Sequence, residues 1–246
     1  MKLKWSAMWV ALCFLCAAAW ADTEGTQAQR ELRHKLALSA ERGNAEAEYH
    51  LGMLYNSGLL GVAQDLPRAY RSFARSAALG DPLGAYKQGC YLAGQFPGVV
   101  PLDPSRALEH KLVAARAGYD LAQFDVASIY FQQGLYAQAQ QWLQLAADQG
   151  RAMALFNLSV GHVRGQWPAS DRALGYAYFK LAKLVAEGSL NPKAEASLDE
   201  LARQMSPEQL AQANALVAAW KPQPSALTSK ARQGIAAAQA LANLAP

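Results

Sequence analysis

The stretch Ala47-Glu48-Tyr49-His50-Leu51-Gly52-Met53-Leu54-Tyr55-Asn56-Ser57-Gly58 decides the fold. It holds no proline, and its terminal glycine is suited to ending a helix in the left-handed conformation. Val62-Ala63-Gln64-Asp65-Leu66-Pro67-Arg68-Ala69 follows, with Phe73 and Ala77-Ala78 beyond it. Asp65 is an N-cap residue and Pro67 suits a first helical turn. Together the two stretches predict a helix over 46–57, a loop holding Gly58, Gly61, Val62 and Asp65, and a second helix over 67–79.

The same unit recurs along the chain. Gly43, Gly80, Gly118, Gly150 and Gly188 are spaced 37, 38, 32 and 38 residues apart. Six residues after each of the first four stands an aromatic: Tyr49, Tyr86, Phe124, Phe156. Nine after stands a small residue: Gly52, Gly89, Ala127, Ser159. Eleven before each of the last four stands Ala69, Ala107, Ala139 or Ala177. Small residues in mid-helix let a neighbouring helix approach closely, and a glycine turn ends each pair. One such pair cannot bury its apolar face alone, so units of this kind stack. Asp103-Pro104 repeats the Asp65–Pro67 device in the second unit, and Asp171 does so in the fourth. Gln133-Gly134-Leu135 replaces the long loop in the third, which accounts for its shorter period.

These residues resemble the Sel-one-like repeat (SLR) family, a relative of the tetratricopeptide repeats. The first unit carries the resemblance most specifically, and the third looks more like an ordinary tetratricopeptide unit. The resemblance covers about 26–188 and implies an all-α, right-handed α-solenoid of about four helix-turn-helix repeats with helical caps. The repeats fall at about 44–80, 81–118, 119–150 and 151–188. A lone helix over 26–43 caps the amino-terminal side. Beyond Gly188 the period stops. Asn191-Pro192 opens one helix and Ser206-Pro207-Glu208-Gln209 reads as the capping box of another, giving a carboxy-terminal capping pair over 189–221. Lys221-Pro222-Gln223-Pro224 breaks it. The tail, 222–246, has few large apolar residues and is expected to be loose.

The first residues read as an address. Met1-Lys2-Leu3-Lys4 is positive, 5–20 carries no charge, and Ala19-Trp20-Ala21 is a small-x-small cleavage site before Asp22. These are the parts of a cleaved secretory signal over 1–21 and predict a periplasmic or secreted protein. Leu12 precedes Cys13 and Leu15 precedes Cys16, which argues against a lipoprotein signal.

Composition narrows the chemistry. Hydrophobic residues make up 52% of the 246-residue chain and charged ones 17%, enough to bury a core. Alanine supplies about a fifth, which favours helix. The formal charge is +4, but Lys2 and Lys4 lie in the leader and Lys221, Lys230 and Arg232 in the tail. The body is near neutral and has no basic stripe, which argues against nucleic-acid binding. Of three cysteines only Cys90 lies outside the leader, so no intramolecular disulfide and no cysteine-based zinc site is expected. His34, His50, His110 and His162 include no i, i+4 pair. Ser159 sits in the small-residue column rather than in a nucleophile elbow. Neither a phosphate loop nor a dinucleotide fingerprint is present. No catalytic residue, metal or cofactor is expected.

In the related tetratricopeptide repeats the first-helix position that matches the aromatic column lines a concave groove. By that resemblance Tyr49, Tyr86, Phe124 and Phe156 form a ladder along one surface, with Glu46, Met53, Asn56, Cys90 and Phe131 beside it. The sequence leaves two arrangements open: rings exposed as a recognition surface, or rings packed against second helices. The expected function is a non-enzymatic scaffold or adaptor that binds a protein partner in the cell envelope. The alternative is an envelope enzyme or cell-wall-ligand-binding protein acting on peptidoglycan.

Overall fold

Each repeat helix that opens on an aspartate or asparagine starts where that side chain closes its first turn. Asn44 accepts from the Ala47 N–H (2.9 Å), Asp65 from Arg68 (2.8 Å), Asp103 from Arg106 (3.0 Å) and Asp171 from Leu174 (3.0 Å). Each bond satisfies an N–H that has no partner within its own helix. The helices end at glycines with positive φ: Gly43 (86°), Gly80 (93°), Gly118 (92°) and Gly150 (82°). The computed structural model describes residues 25–186 and 192–244. The expected leader and Gly188 lie outside the described residues.

The helices are α1 (Gln27–Glu41), α2 (Ala45–Ser57), α3 (Leu66–Ala78), α4 (Pro82–Leu92), α5 (Pro104–Arg116), α6 (Asp120–Gln132), α7 (Tyr136–Asp148), α8 (Ala152–Val163) and α9 (Arg172–Val185). They continue with α10 (Pro192–Arg203), α11 (Pro207–Ala219), α12 (Ala226–Gln233) and α13 (Ile235–Leu244). No strand occurs among the described residues. The pairs α2–α3, α4–α5, α6–α7 and α8–α9 are the four repeats of an all-α array. The chain forms two units, one from residues up to 107 together with those from 233 onward, the other from 108–232.

In the first unit the small-residue column does what its spacing predicts. A Cβ on Gly52 would lie 2.6 Å from the Phe73 ring, so only glycine lets α3 settle against α2. Ala69 is fully buried beside it. Ser76 donates to the Ala45 carbonyl (2.8 Å), tying the end of α3 to the start of α2. Leu32, Leu36, Ala47 and Leu54 form the core between α1 and α2.

In the second unit Leu143, Leu155 and Leu158 fill the core, with Trp167 against them. Full burial of each leucine contributes about 1.5–3 kcal/mol. The columns again set the spacing: Ala127, Ala139, Ser159 and Ala177 are all buried. A capping box joins Ser206 and Gln209 at the start of α11, and α11 buries Ala213 against Ala173 and Ala177 of α9.

The tail corrects an expectation, since its described residues, 222–244, are not loose. Within the second unit Ser225 donates to the Gly118 carbonyl (2.8 Å) and its N–H bonds Gln149 (2.9 Å). Thr228, fully buried, accepts from the Asp120 N–H (3.0 Å) and donates to the Gly118 carbonyl (3.1 Å). The Asp120 carboxylate is 1% exposed and pairs with Arg151 (3.0 Å) and Arg232 (2.8 Å). Within the first unit α13 packs on α1, burying Ala238 and Ala242 against Leu32 and Leu36. Polar anchoring and alanine-sized contacts hold this segment, so a search for large apolar residues misses it.

Gly161 supplies the sharpest packing test. A Cβ there would fall 1.9 Å from the Trp167 indole, whose Nε1 donates to the Leu158 carbonyl at 3.0 Å. Overpacking of this kind costs about 1–3 kcal/mol. Gly161→Ala is expected to lower the urea midpoint accordingly and to shift the tryptophan emission. An unchanged midpoint would mean that Trp167 does not seat on Gly161.

Candidate partner-binding groove

The buried columns determine which residues remain on the surface. In α8, Ala154, Leu155, Leu158, Ser159 and His162 face inward. The opposite stripe holds Met153, Phe156, Asn157, Val160, Val163 and Arg164, at helical spacing. Met153 is 55% exposed, and Val163, although its Cγ2 lies against Gly175 of α9, is still 44% exposed, high values for large apolar side chains.

Two open clefts flank this stripe. The first, of about 380 Å³, lies between α6 and α8 and is lined by Ser128, Phe131, Gln132, Asn157, Val160, Arg164, Gln166 and Trp167. The second, of about 320 Å³, lies between α8 and α10 over Phe179 and is lined by Phe156, Val160, Val163, Arg164 and Leu201. Val160 and Arg164 border both. Arg164 is the one charged side chain among the described residues that line them, and its guanidinium has no ion pair or hydrogen bond with any described residue.

The wall of the first cleft is fixed from below. Trp167 is buried, its Nε1 bonded to Leu158, and it meets Phe131 edge-on with centroids 5.9 Å apart. Tyr136 meets the other side of Phe131 at 5.2 Å. The loop after α8 is pinned where His162 Nδ1 accepts from the Asp171 N–H (3.1 Å). Burial holds the His162 imidazole below its ordinary pKa, with Asp171 opposing in part, and the ring stacks on Tyr178.

The aromatic column divides between the two expected arrangements. Tyr49 and Tyr86 are 8% and 6% exposed and Cys90 is 3% exposed, so these three are packing residues and offer a partner almost no surface. Tyr49 packs on Phe73 with centroids 6.0 Å apart, because the close approach at Gly52 brings the second helix over it. Met53 and Asn56 are half-buried in the first unit. The Asn56 side chain accepts from the Tyr91 hydroxyl (2.8 Å), a phenol that burial pushes up to about 12. Phe124 is half-buried against the second unit's core. Phe156 meets Phe179 edge-on at 5.8 Å and still borders the second cleft. Of the expected residues, Phe131 and Phe156 reach the clefts. Met153, Asn157, Val160, Val163, Arg164 and Trp167 were not anticipated, although the stripe opposite the Ser159 column contains the first five.

The groove offers apolar area, amide groups and a single cation. No cluster of three or more histidine, cysteine, aspartate or glutamate side chains suited to a metal occurs among the described residues. No helix among them is long and apolar enough to cross a membrane.

The fold defines an all-α helical repeat protein. The chain belongs to the Sel1 repeat family: the Sel1 repeat model matches residues 45–81, 83–119, 120–150 and 152–184. Sel1 repeats generally mediate protein–protein interaction. The chain is similar in structure to c5321, a protective antigen of uropathogenic Escherichia coli strains displaying an SLR fold, at 23% identity and a TM-score of 0.61. That match covers 85% of this chain and 42% of the antigen, so the chain spans about two fifths of that protein's length. A Sel1 repeat protein from Oxalobacter formigenes matches at 19% identity and a TM-score of 0.53, over 68% of this chain and 76% of its own. At these identities the likeness concerns the fold. No curated protein matches the chain.

The His162 contact gives the second unit a pH dependence. Its folded pKa lies below the unfolded value, so the unfolded state binds the extra proton first. Stability is therefore full above about pH 6.5 and falls as the pH drops below it. His162→Asn, which keeps an acceptor for the Asp171 N–H, is expected to remove this component from the thermal-unfolding profile between pH 7 and 5. Parallel profiles for both proteins would show that His162 does not carry it.

Proposed function

We propose that this protein is an exported, non-enzymatic adaptor that holds a protein partner in the groove along α8. The observation that carries the reading is the uncovered stripe from Met153 to Arg164, flanked by two open clefts. Exposed apolar side chains aligned on one helix face beside open clefts are the kind of surface that protein partners cover. Family membership supports a protein as the ligand. Support for export comes from Lys2 and Lys4, the uncharged run over 5–20 and the Ala19-Trp20-Ala21 site. Support for the non-enzymatic reading comes from the family, whose repeats typically form non-catalytic scaffolds.

In-cell crosslinking of the tagged full chain, followed by affinity capture and mass spectrometry, tests this reading. A discrete partner is expected, on a protein whose amino terminus is Asp22. Met153→Lys and Val160→Lys, checked for folding by circular dichroism, are expected to lose it. Leu145→Lys, at a surface leucine of α7 that is 47% exposed and away from the groove, is expected to retain it. Equal capture by all three variants would remove the groove from the reading. An amino terminus at Met1 would remove the export.

A further inference from the structure

The groove's chemistry narrows the partner. Met153, Phe156, Val160 and Val163 form a ridge along α8, a helix of 12 residues. At about 1.5 Å per residue the ridge spans roughly three turns. A ridge between two clefts is the surface on which a second helix packs, its side chains entering the clefts.

An extended peptide fits this surface poorly. The α8 backbone is already bonded within its helix, so a strand laid on it would leave its own N–H and C=O groups to the side-chain amides of Gln132, Asn157 and Gln166. A helix brings its backbone already satisfied.

Charge sets the second requirement. Arg164 borders both clefts and has no ion pair with a described residue, and no described acidic side chain lines either cleft. A carboxylate arriving there gains an attraction without breaking a pair with any described residue, whereas an ammonium group is repelled.

We infer that the groove takes a short amphipathic helix of a partner protein, with an acidic side chain placed against Arg164. This inference rests on the adaptor reading and adds the partner's chemistry to it. The probes are two fluorescein-labelled 14-residue helical peptides with the same Leu/Ala/Gln apolar stripe, one bearing a glutamate beside the stripe and the other a lysine. Fluorescence anisotropy with the full chain is expected to show the glutamate peptide binding about fivefold or more tightly, the order of an exposed ion pair. Arg164→Glu is expected to reverse the order, and 0.5 M salt to compress it.

Equal affinities, or an order unchanged in Arg164→Glu, would overturn the charge assignment. If Met153→Lys then still abolished binding of both peptides, the groove would survive without its charge preference. No binding of either peptide at 1 mM would overturn the helical occupant. Loss of the cellular partner in Met153→Lys would in that case leave the adaptor reading standing by itself.

Discussion

The structure depends on close approach between helices at positions with little or no side chain. At Gly52 the Phe73 ring occupies the space a Cβ would need, at Gly175 of α9 a Cβ would meet the Val163 side chain of α8 at 2.9 Å, and at Gly161 the loop residue Trp167 fills the same space. The alanine column, Ala69, Ala107, Ala139 and Ala177, is buried throughout. Interiors are close-packed and respond to a single added carbon, so within each unit these positions fix the distance between the helices of α2–α3, α6–α7 and α8–α9. That distance decides which faces are covered. On α2 it closes the second helix over Tyr49. On α8 it draws Leu155 and Leu158 into the core and leaves Met153, Val160 and Val163 outside.

A second set of contacts works by polar complementarity. Asp120 is buried at the start of the third repeat and neutralised by two arginines. Arg151 is largely covered, whereas Arg232 is about half exposed, so solvent screens the tail's own ion pair. The firmer hold on the tail comes from the Thr228 and Ser225 hydroxyls, which engage the glycine turn at Gly118, and from the Ser225 N–H, which donates to the side chain of Gln149. The glycine turn that ends one repeat thus also offers the carbonyl that anchors the tail.

Most of the fold was legible because its signals are periodic and local. Capping aspartates, terminal glycines and the two small-residue columns each have a direct physical reading, and each reappears as a bond, a dihedral or a buried position. The tail was not legible: its anchors pair residues about a hundred positions apart, and alanines do not register as a packing face. The site was legible in part. Phe131 and Phe156 reach the clefts, but Tyr49, Tyr86 and Cys90 are buried, because an aromatic column reports spacing along a helix and not which neighbour covers it. The α8 stripe could have been read as the complement of the Leu155, Leu158, Ser159 and His162 face. Arg164 stands out only once its lack of a described partner is visible.

A partner seated on the stripe that helix spacing leaves exposed on α8 would leave a localised footprint. Amide hydrogen exchange of the full chain, measured alone and saturated with its captured partner, tests that most directly. The expected result is slowed exchange in segments covering 128–132 and 153–167, with 45–57 and 82–92 unchanged. Protection confined to the first unit, with 153–167 unaffected, would contradict it.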